Sequence, residues 1–495
     1  MAKMWRQHVY SCHASRITKP IGQDSRASVE QTEASVRCVL PDLFLTNVAT
    51  ATSSSPHLKR QLGLWSATAL VVGEVIAVGI FLTPAQMSKS IGSPLWIALV
   101  WLVVGAMSLC GALCYGELAA RYPEAGGGYV YLREAYGPRL AFLYGWKSFL
   151  VMDPGLTAAL GIGLASYAGY IVHLSPLGTK LVALAAIWAL ALANIFGLKL
   201  GAALMRWLTV LKLGLLALII LWAIGGKLGD WANLLPLVAQ REASAPLAGA
   251  LAGGLVAAFF SFGGWWDLSK LAGEVREPAK TLPRALALGV MAVTVIYLLT
   301  SMVFLYLVPV ERVTSGETFA AQAGEMLFGR AGGQVFSAIV MISVLGSLAA
   351  VILSAPRVYY AMARDHLFVP AAAAIHPRFG TPARAIALQA VMASLLAALG
   401  TFNEIIAYFI FITVAFIALT IVAVFVLRQR AGQSAYTMPG YPVVPIVFLI
   451  LVSALLVLLA LGNPLQAFLG VAVVAAGLPV YQLLFRKRKQ ANDVD

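Results

Sequence analysis

Charge is what this chain of 495 residues has least of: Asp, Glu, Lys and Arg make up 11% of it, where soluble domains carry about 25%. So sparse a solubilising surface excludes one large water-soluble domain and any disordered or fibrous chain. Cysteine is scarce as well, four in all. Cys12 and Cys38 lie in a polar N-terminal segment, and Cys110 and Cys114 stand one helical turn apart in an apolar run, where thiols act as small hydrophobes. No histidine joins either pair at metal-ligand spacing, so no disulfide framework, metal or cofactor is expected. His8, His13, His57, His173, His366 and His376 all fall outside the centres of the apolar runs. With no nucleophile–base constellation in sight, a membrane-embedded enzyme is the weaker alternative class. Rings of polar residues suited to a channel are also lacking. Residues 1–60 have neither a continuous apolar core for a cleaved signal peptide nor helical periodicity, and read as a disordered cytoplasmic tail or a start codon placed too early.

What the chain has is apolar length. The residues AVILMFWYC form 60% of it, and about 20 of them in a row cross a bilayer. Twelve such runs are expected. The first six are 62–89, 95–120, 139–172, 177–198, 201–225 and 247–270; the second six are 283–308, 332–362, 383–400, 402–427, 441–461 and 464–485. The fold class is therefore an all-α polytopic membrane protein. Of the Lys and Arg between runs, twenty-one fall on one side, including the basic end Arg486-Lys487-Arg488-Lys489 within 486–495, and six on the other. That asymmetry predicts both termini in the cytoplasm and a multi-pass protein of the cell's inner membrane. It also accounts for most of the net charge of +14 without a nucleic-acid partner.

Two runs are interrupted by glycine near mid-membrane: Gly73-Glu74-Val75-Ile76-Ala77-Val78-Gly79 in the first, and Phe259-Phe260-Ser261-Phe262-Gly263-Gly264-Trp265-Trp266-Asp267 in the sixth. Their five-run separation suggests two inverted halves, 61–226 and 247–430, with 441–485 appended. Unwound backbone cannot face lipid with its N–H and C=O groups unpaired, and broken helices at matching places in two halves point to a secondary transporter's binding site. N–H groups opening a resumed helix suit a carboxylate; freed carbonyls suit an ammonium. An α-amino acid carries both. The plainer reading, glycine for close helix packing, fits either break taken singly.

The chain then resembles the amino acid–polyamine–organocation superfamily, in its L-type amino acid transporter branch of prokaryotic type, over about residues 61–485. The resemblance is carried by Gly116 to Tyr131, by Phe260 to Trp265 with Glu274-Val275-Arg276-Glu277-Pro278, and by Pro356 to Asp365. It implies the LeuT-type five-plus-five inverted-repeat fold with discontinuous helices 1 and 6, and sodium-independent exchange of amino acids. By position it implies a carboxylate site at Val75, Ile76, Ala77, Val78 and Gly79, ammonium-binding carbonyls at Phe260, Ser261 and Gly263, a gate in the Phe260 ring, and a pocket shaped by Gly264, Trp265 and Trp266. Ala77-Val78-Gly79 departs from the family's usual Gly-Ser-Gly, leaving backbone N–H groups as the carboxylate donors. The loop His173 to Lys180 lacks the cysteine through which eukaryotic members join a glycoprotein, so no disulfide-linked heavy chain is expected.

Three ionisable residues sit in apolar runs. Lys212 lies mid-run and must find a partner or snorkel; the resemblance makes it a surrogate for the sodium ion that would bridge helices 1 and 8. Glu74 is read as a coupling acid, as a counter-charge for a cationic substrate, or as the structural partner of Lys212. Asp153 is read chiefly as a water-wetted acid near the cytoplasmic end. Gly126-Gly127-Gly128 lacks the Gly-Lys-Ser/Thr ending of a phosphate loop and reads as a fold-back near the inner gate. Together these point to a permease for neutral amino acids working by alternating access; a proton-coupled symporter, or a cationic amino acid or polyamine antiporter using Glu74, is the alternative.

Overall fold

Proline at the first or second position opens seven of the helices, at Pro94, Pro138, Pro154, Pro176, Pro278, Pro356 and Pro464. Its fixed φ suits a helix start, and its missing N–H would have been unpaired there anyway. The computed structural model describes residues 58–77, 79–240, 244–308, 319–399, 402–430 and 434–485, all within the unit His57–Asp495. Val78, Cys12, Cys38, the N-terminal segment before Leu58 and the basic end 486–495 lie outside the described residues.

Sixteen α-helices run through the described residues: α1 Leu64–Val75, α2 Gly79–Ile91, α3 Pro94–Arg121, α4 Gly128–Tyr136, α5 Pro138–Lys147, α6 Asp153–Ile171, α7 Pro176–Ile195, α8 Leu198–Gly225, α9 Leu247–Ser261, α10 Pro278–Leu307, α11 Phe319–Ser354, α12 Pro356–Arg364, α13 Ala383–Leu399, α14 Phe402–Arg430, α15 Val443–Gly462 and α16 Pro464–Leu484. A π-helical turn, Ser148–Met152, joins α5 to α6, and a 3₁₀ stretch, Trp265–Glu274, follows α9. Ten helical stretches are long and apolar enough to span a membrane. Two of the twelve expected runs fall short of that length: the first is cut after Val75, and the ninth is the 17-residue α13.

Large apolar side chains such as Leu218, Leu221 and Phe468 are exposed along the outer helices. That is the inverse of a soluble protein's surface and suits lipid. Inside, α10 packs along α3, and α1 is held by α8, α10 and α11. Small residues permit the close approach: a Cβ on Gly105 would lie 2.6 Å from the Thr294 side chain, and one on Gly289 2.5 Å from Val71.

The interior is not uniformly apolar. Lys270 is fully buried between Asp153 and Asp267, at 2.9 and 2.8 Å, and Arg357 is buried against Glu274 at 2.7 Å. Both had been counted with the cytoplasmic loop charges. Without them the asymmetry is nineteen against six, of the same sign. Asp153 is likewise corrected, from a wetted acid to a buried, paired one: each of these groups lies next to an opposite charge that the fold delivers from a distant part of the chain.

Candidate functional site

The two interruptions break the helices and face each other. The β-branched pair Val75-Ile76 is a weak place in a helix. Ile76 leaves helical geometry (φ −74°, ψ 81°), the Ala77 N–H donates to the Val75 carbonyl at 2.8 Å, and helix resumes at Gly79. A Cβ on Gly79 would lie 2.9 Å from the Ser261 backbone, so only glycine lets α2 pass so near the end of α9. There α9 stops, the Gly263 N–H bonds the Phe260 carbonyl at 3.0 Å, and Gly264 takes φ +106°, after which the chain tightens into the 3₁₀ stretch. A Cβ on Gly264 would stand 2.9 Å from Glu74 Cγ.

Side chains from elsewhere satisfy the backbone these breaks expose. The Tyr297 hydroxyl on α10 lies 2.8 Å from both the Val75 and Ser261 carbonyls, a single O–H shared between the two ends. Its ring is held by Trp101 at 5.0 Å and Phe262 at 5.2 Å. The Thr83 and Ser261 hydroxyls meet at 2.7 Å. Lys212 of α8, fully buried, donates to the Gly73 carbonyl at 2.8 Å, the Ile76 carbonyl at 2.6 Å and Ser347 Oγ at 3.2 Å. Ser347 also donates to Gly73 O at 2.7 Å, and Ser343 to Ile76 O at 3.1 Å. Lys212 therefore ties α1 to α11 through oxygen atoms and gives no hydrogen bond to Glu74.

Between the breaks lies a cavity of about 60 Å³, against roughly 10–15 Å³ for one water by the same measure. Val75, Ala77, Gly79, Phe260, Ser261, Gly263, Gly264 and Trp266 line it, as do Glu74, Thr413 and an apolar wall that includes Met152, Leu156, Leu160, Val351 and Ile410. Ile76 turns its carbonyl to Lys212 instead. Trp265 is buried away from the cavity with its ring edge-on to Tyr115 at 5.3 Å. Glu74 and Trp266 are almost fully buried.

Below the cavity the 3₁₀ stretch carries Asp267 and Lys270 into the buried ion cluster. Ser354 of α11 adds an O–H to Asp267 at 3.3 Å, and Tyr359 of α12 adds one to Asp153 at 3.3 Å. The glycine loop closes on the same stretch. Gly126 donates its N–H to the Lys270 carbonyl at 3.0 Å, and Gly127, at φ +55°, leaves no room for a Cβ beside Ser269. Just beyond, Arg133 binds Asp365 at 2.7 Å, Glu134 at 2.9 Å and Glu124 at 3.0 Å. Burial works against its charge, but the three acids hold its pKa above the ordinary guanidinium value.

Sequence reasoning missed Tyr297, Ser343, Ser347, Thr413 and the pairing of Lys270. Hydroxyls and a tyrosine in membrane helices carry no sequence mark that separates a bridging role from a packing one. Lys147, buried at the end of α5 with its ammonium 4.6 Å from the Tyr144 ring centroid, was findable, because a lysine inside an apolar run is rare.

The profile of a family described as amino acid permease matches residues 62–481. Among similar proteins, the serine/threonine exchanger SteT of Bacillus subtilis (strain 168) is 32% identical over 442 residues, covering 87% of this chain and 98% of that one. The large neutral amino acids transporter small subunit 2 of Homo sapiens is 28% identical over 436 residues, 86% of this chain and 80% of its own. The Asc-type amino acid transporter 1 of Mus musculus is 27% identical over 438 residues, 86% and 81% of the two chains.

Proposed function

Since the chain belongs to the amino acid permease family, and so is a multi-pass membrane transporter and not an enzyme, we propose that it exchanges neutral L-amino acids across the plasma membrane, independently of sodium, by alternating access. The observation that carries this reading is the cavity enclosed by the two helix breaks, with peptide groups at its ends and an apolar wall between them. A zwitterion meets the start of α2 with its carboxylate, where N–H groups and the positive end of the helix dipole converge. Val75, Ala77 and Gly79 form that side. Phe260, Ser261, Gly263 and Gly264 form the other, with Phe260 as the gating ring and Trp266, backed by Trp265, shaping the side-chain pocket.

Sodium independence rests on Lys212. Two carbonyls and two serine hydroxyls converge where α1 passes α11, a set of oxygens of the kind that unwound helices offer to Na⁺, and an ammonium occupies that point. The reading includes a twelve-span, five-plus-five architecture with cytoplasmic termini, in which helices 1, 2, 6 and 7 of that scheme move against 3, 4, 8 and 9. The test is uptake of radiolabelled L-alanine, L-serine and L-leucine into proteoliposomes, with and without internal amino acid, in sodium or choline buffer. Stimulation by internal amino acid, unchanged by choline, is expected; no stimulation defeats the exchanger. The rival reading, proton symport or exchange of cationic amino acids or polyamines, draws on buried Glu74, and predicts uptake driven by a pH gradient or a preference for L-lysine or putrescine.

A further inference from the structure

Three polar groups lining the cavity have no partner among the described residues: both carboxyl oxygens of Glu74, the indole Nε1 of Trp266 and the hydroxyl of Thr413. Glu74 is 3% exposed, Thr413 5% and Trp266 7%. Folded proteins pair their buried polar atoms as a rule, so three exceptions on one cavity wall describe the chemistry of a ligand: one cationic donor and at least one acceptor.

The cations of the chain that lie near Glu74 are engaged elsewhere. Lys212 serves Gly73, Ile76 and Ser347; Lys270 serves Asp153 and Asp267; Lys147 points to Met152 Sδ and the Tyr144 ring. The neighbouring Asp267 is a second acid within reach of Glu74, with its own Oδ1 unpartnered, and brings no cation to it. The carbonyls at the breaks already accept hydrogen bonds. Gly73 and Ile76 accept from Lys212 and the serines, Val75 from Ala77 and Tyr297, Ser261 from Tyr297, and Phe260 from Gly263. An ammonium entering the cavity therefore meets the open carboxyl of Glu74 as its acidic partner.

We infer that Glu74 holds the α-ammonium of the substrate, in place of the carbonyls at the end of α9. The inference rests on the amino acid carrier reading above and narrows it. The substrate class is neutral amino acids with a free primary amine. Were Glu74 instead to bind a side-chain cation, the α-ammonium would be left to neutral carbonyls that each already accept a hydrogen bond. With the α-ammonium on Glu74, the side chain faces Met152, Leu156, Leu160, Val351 and Ile410, a wall that offers a second cation nothing. Trp266 Nε1 is left as a donor to an oxygen of the same substrate. A charge-assisted bond is among the stronger non-covalent contacts, and a site built on one rejects analogues that lack the bonded group far better than an apolar pocket rejects a shape.

The test uses the full chain in proteoliposomes with radiolabelled L-alanine as probe, and N-acetyl-L-alanine and L-lactate, which lack the ammonium, as competitors. On the wild-type protein neither analogue should compete within about tenfold of unlabelled L-alanine; competition as strong as that of L-alanine overturns the inference without any variant. Glu74→Gln should raise the KM for L-alanine at least about tenfold and shrink its advantage over L-lactate, with Glu74→Asp between the two. Glu74→Gln with wild-type KM and undiminished discrimination sinks the inference and leaves the carrier reading standing. So does a wild-type preference for L-lysine that Glu74→Gln abolishes while L-alanine uptake persists. A wild-type protein that carries no amino acid removes the carrier reading, and this inference with it. Size-exclusion profiles identify a variant that fails to fold, in which case the wild-type competition alone decides.

Discussion

At the scale of single residues, the site is defined by which donor reaches which exposed carbonyl. Lys212 was conspicuous in the sequence, but its partners come from Gly73 and Ile76 on one side and Ser347, 135 residues on, at the other, and no spacing rule contains that. Hydrogen bonds to a charged group contribute about 1.5–3 kcal/mol each. Lys212→Met, which keeps the volume and removes the donors, is expected to lower initial amino acid uptake at least about tenfold, in sodium and choline alike. Wild-type rates in that variant would remove the bridging role. Tyr297→Phe deprives the Ser261 carbonyl of its donor while Val75 keeps the Ala77 N–H. At about 1 kcal/mol for a neutral bond, uptake should fall roughly fivefold in the same assay.

At the scale of elements, the breaks were legible because glycine and β-branched residues interrupt otherwise helical runs. Their geometry was not. Gly264 must be glycine both for its φ of +106° and because Glu74 Cγ would crowd a Cβ. The left-handed conformation alone costs an L-residue about 1–2 kcal/mol. Gly264→Ala is therefore expected to lower the melting temperature in detergent and cut uptake severalfold. Gly253→Ala, in α9 with nothing within 4 Å of a Cβ, should change neither. Equal effects of the two would mean that the turn does not hold the site. Gly79→Trp should abolish uptake, because even a Cβ there would stand 2.9 Å from the Ser261 backbone; wild-type uptake by that variant would show that the two breaks do not meet.

At the scale of the whole molecule, a buried ion cluster stands under the cavity. Breaking a buried pair by removing one partner costs about 3–5 kcal/mol, because an uncompensated charge stays behind. Lys270→Met, leaving Asp153 and Asp267 facing each other, should lower thermal stability strongly, and adding Asp153→Asn should recover part of the loss. A Lys270→Met protein that melts with the wild type would refute this account. The sequence placed Lys270 and Arg357 among loop charges because each lies beside a polar stretch. Their burial depends on acids at Asp153 and Glu274, 117 and 83 residues away in the chain.

By composition and pattern alone, the chain is a multi-pass membrane protein, its helices are interrupted at two sites, and a lysine and an acid lie deep in apolar runs. These follow because lipid penalises every unpaired polar group, so an exception to the apolar pattern is visible locally. The tertiary structure alone decided what each exception meets. Lys212 reaches carbonyls and not Glu74, Asp153 reaches Lys270 and not water, and Glu74 stays open to the cavity. Electrostatic and hydrogen-bonding partners are fixed by distances of a few ångströms between segments that lie tens to hundreds of residues apart.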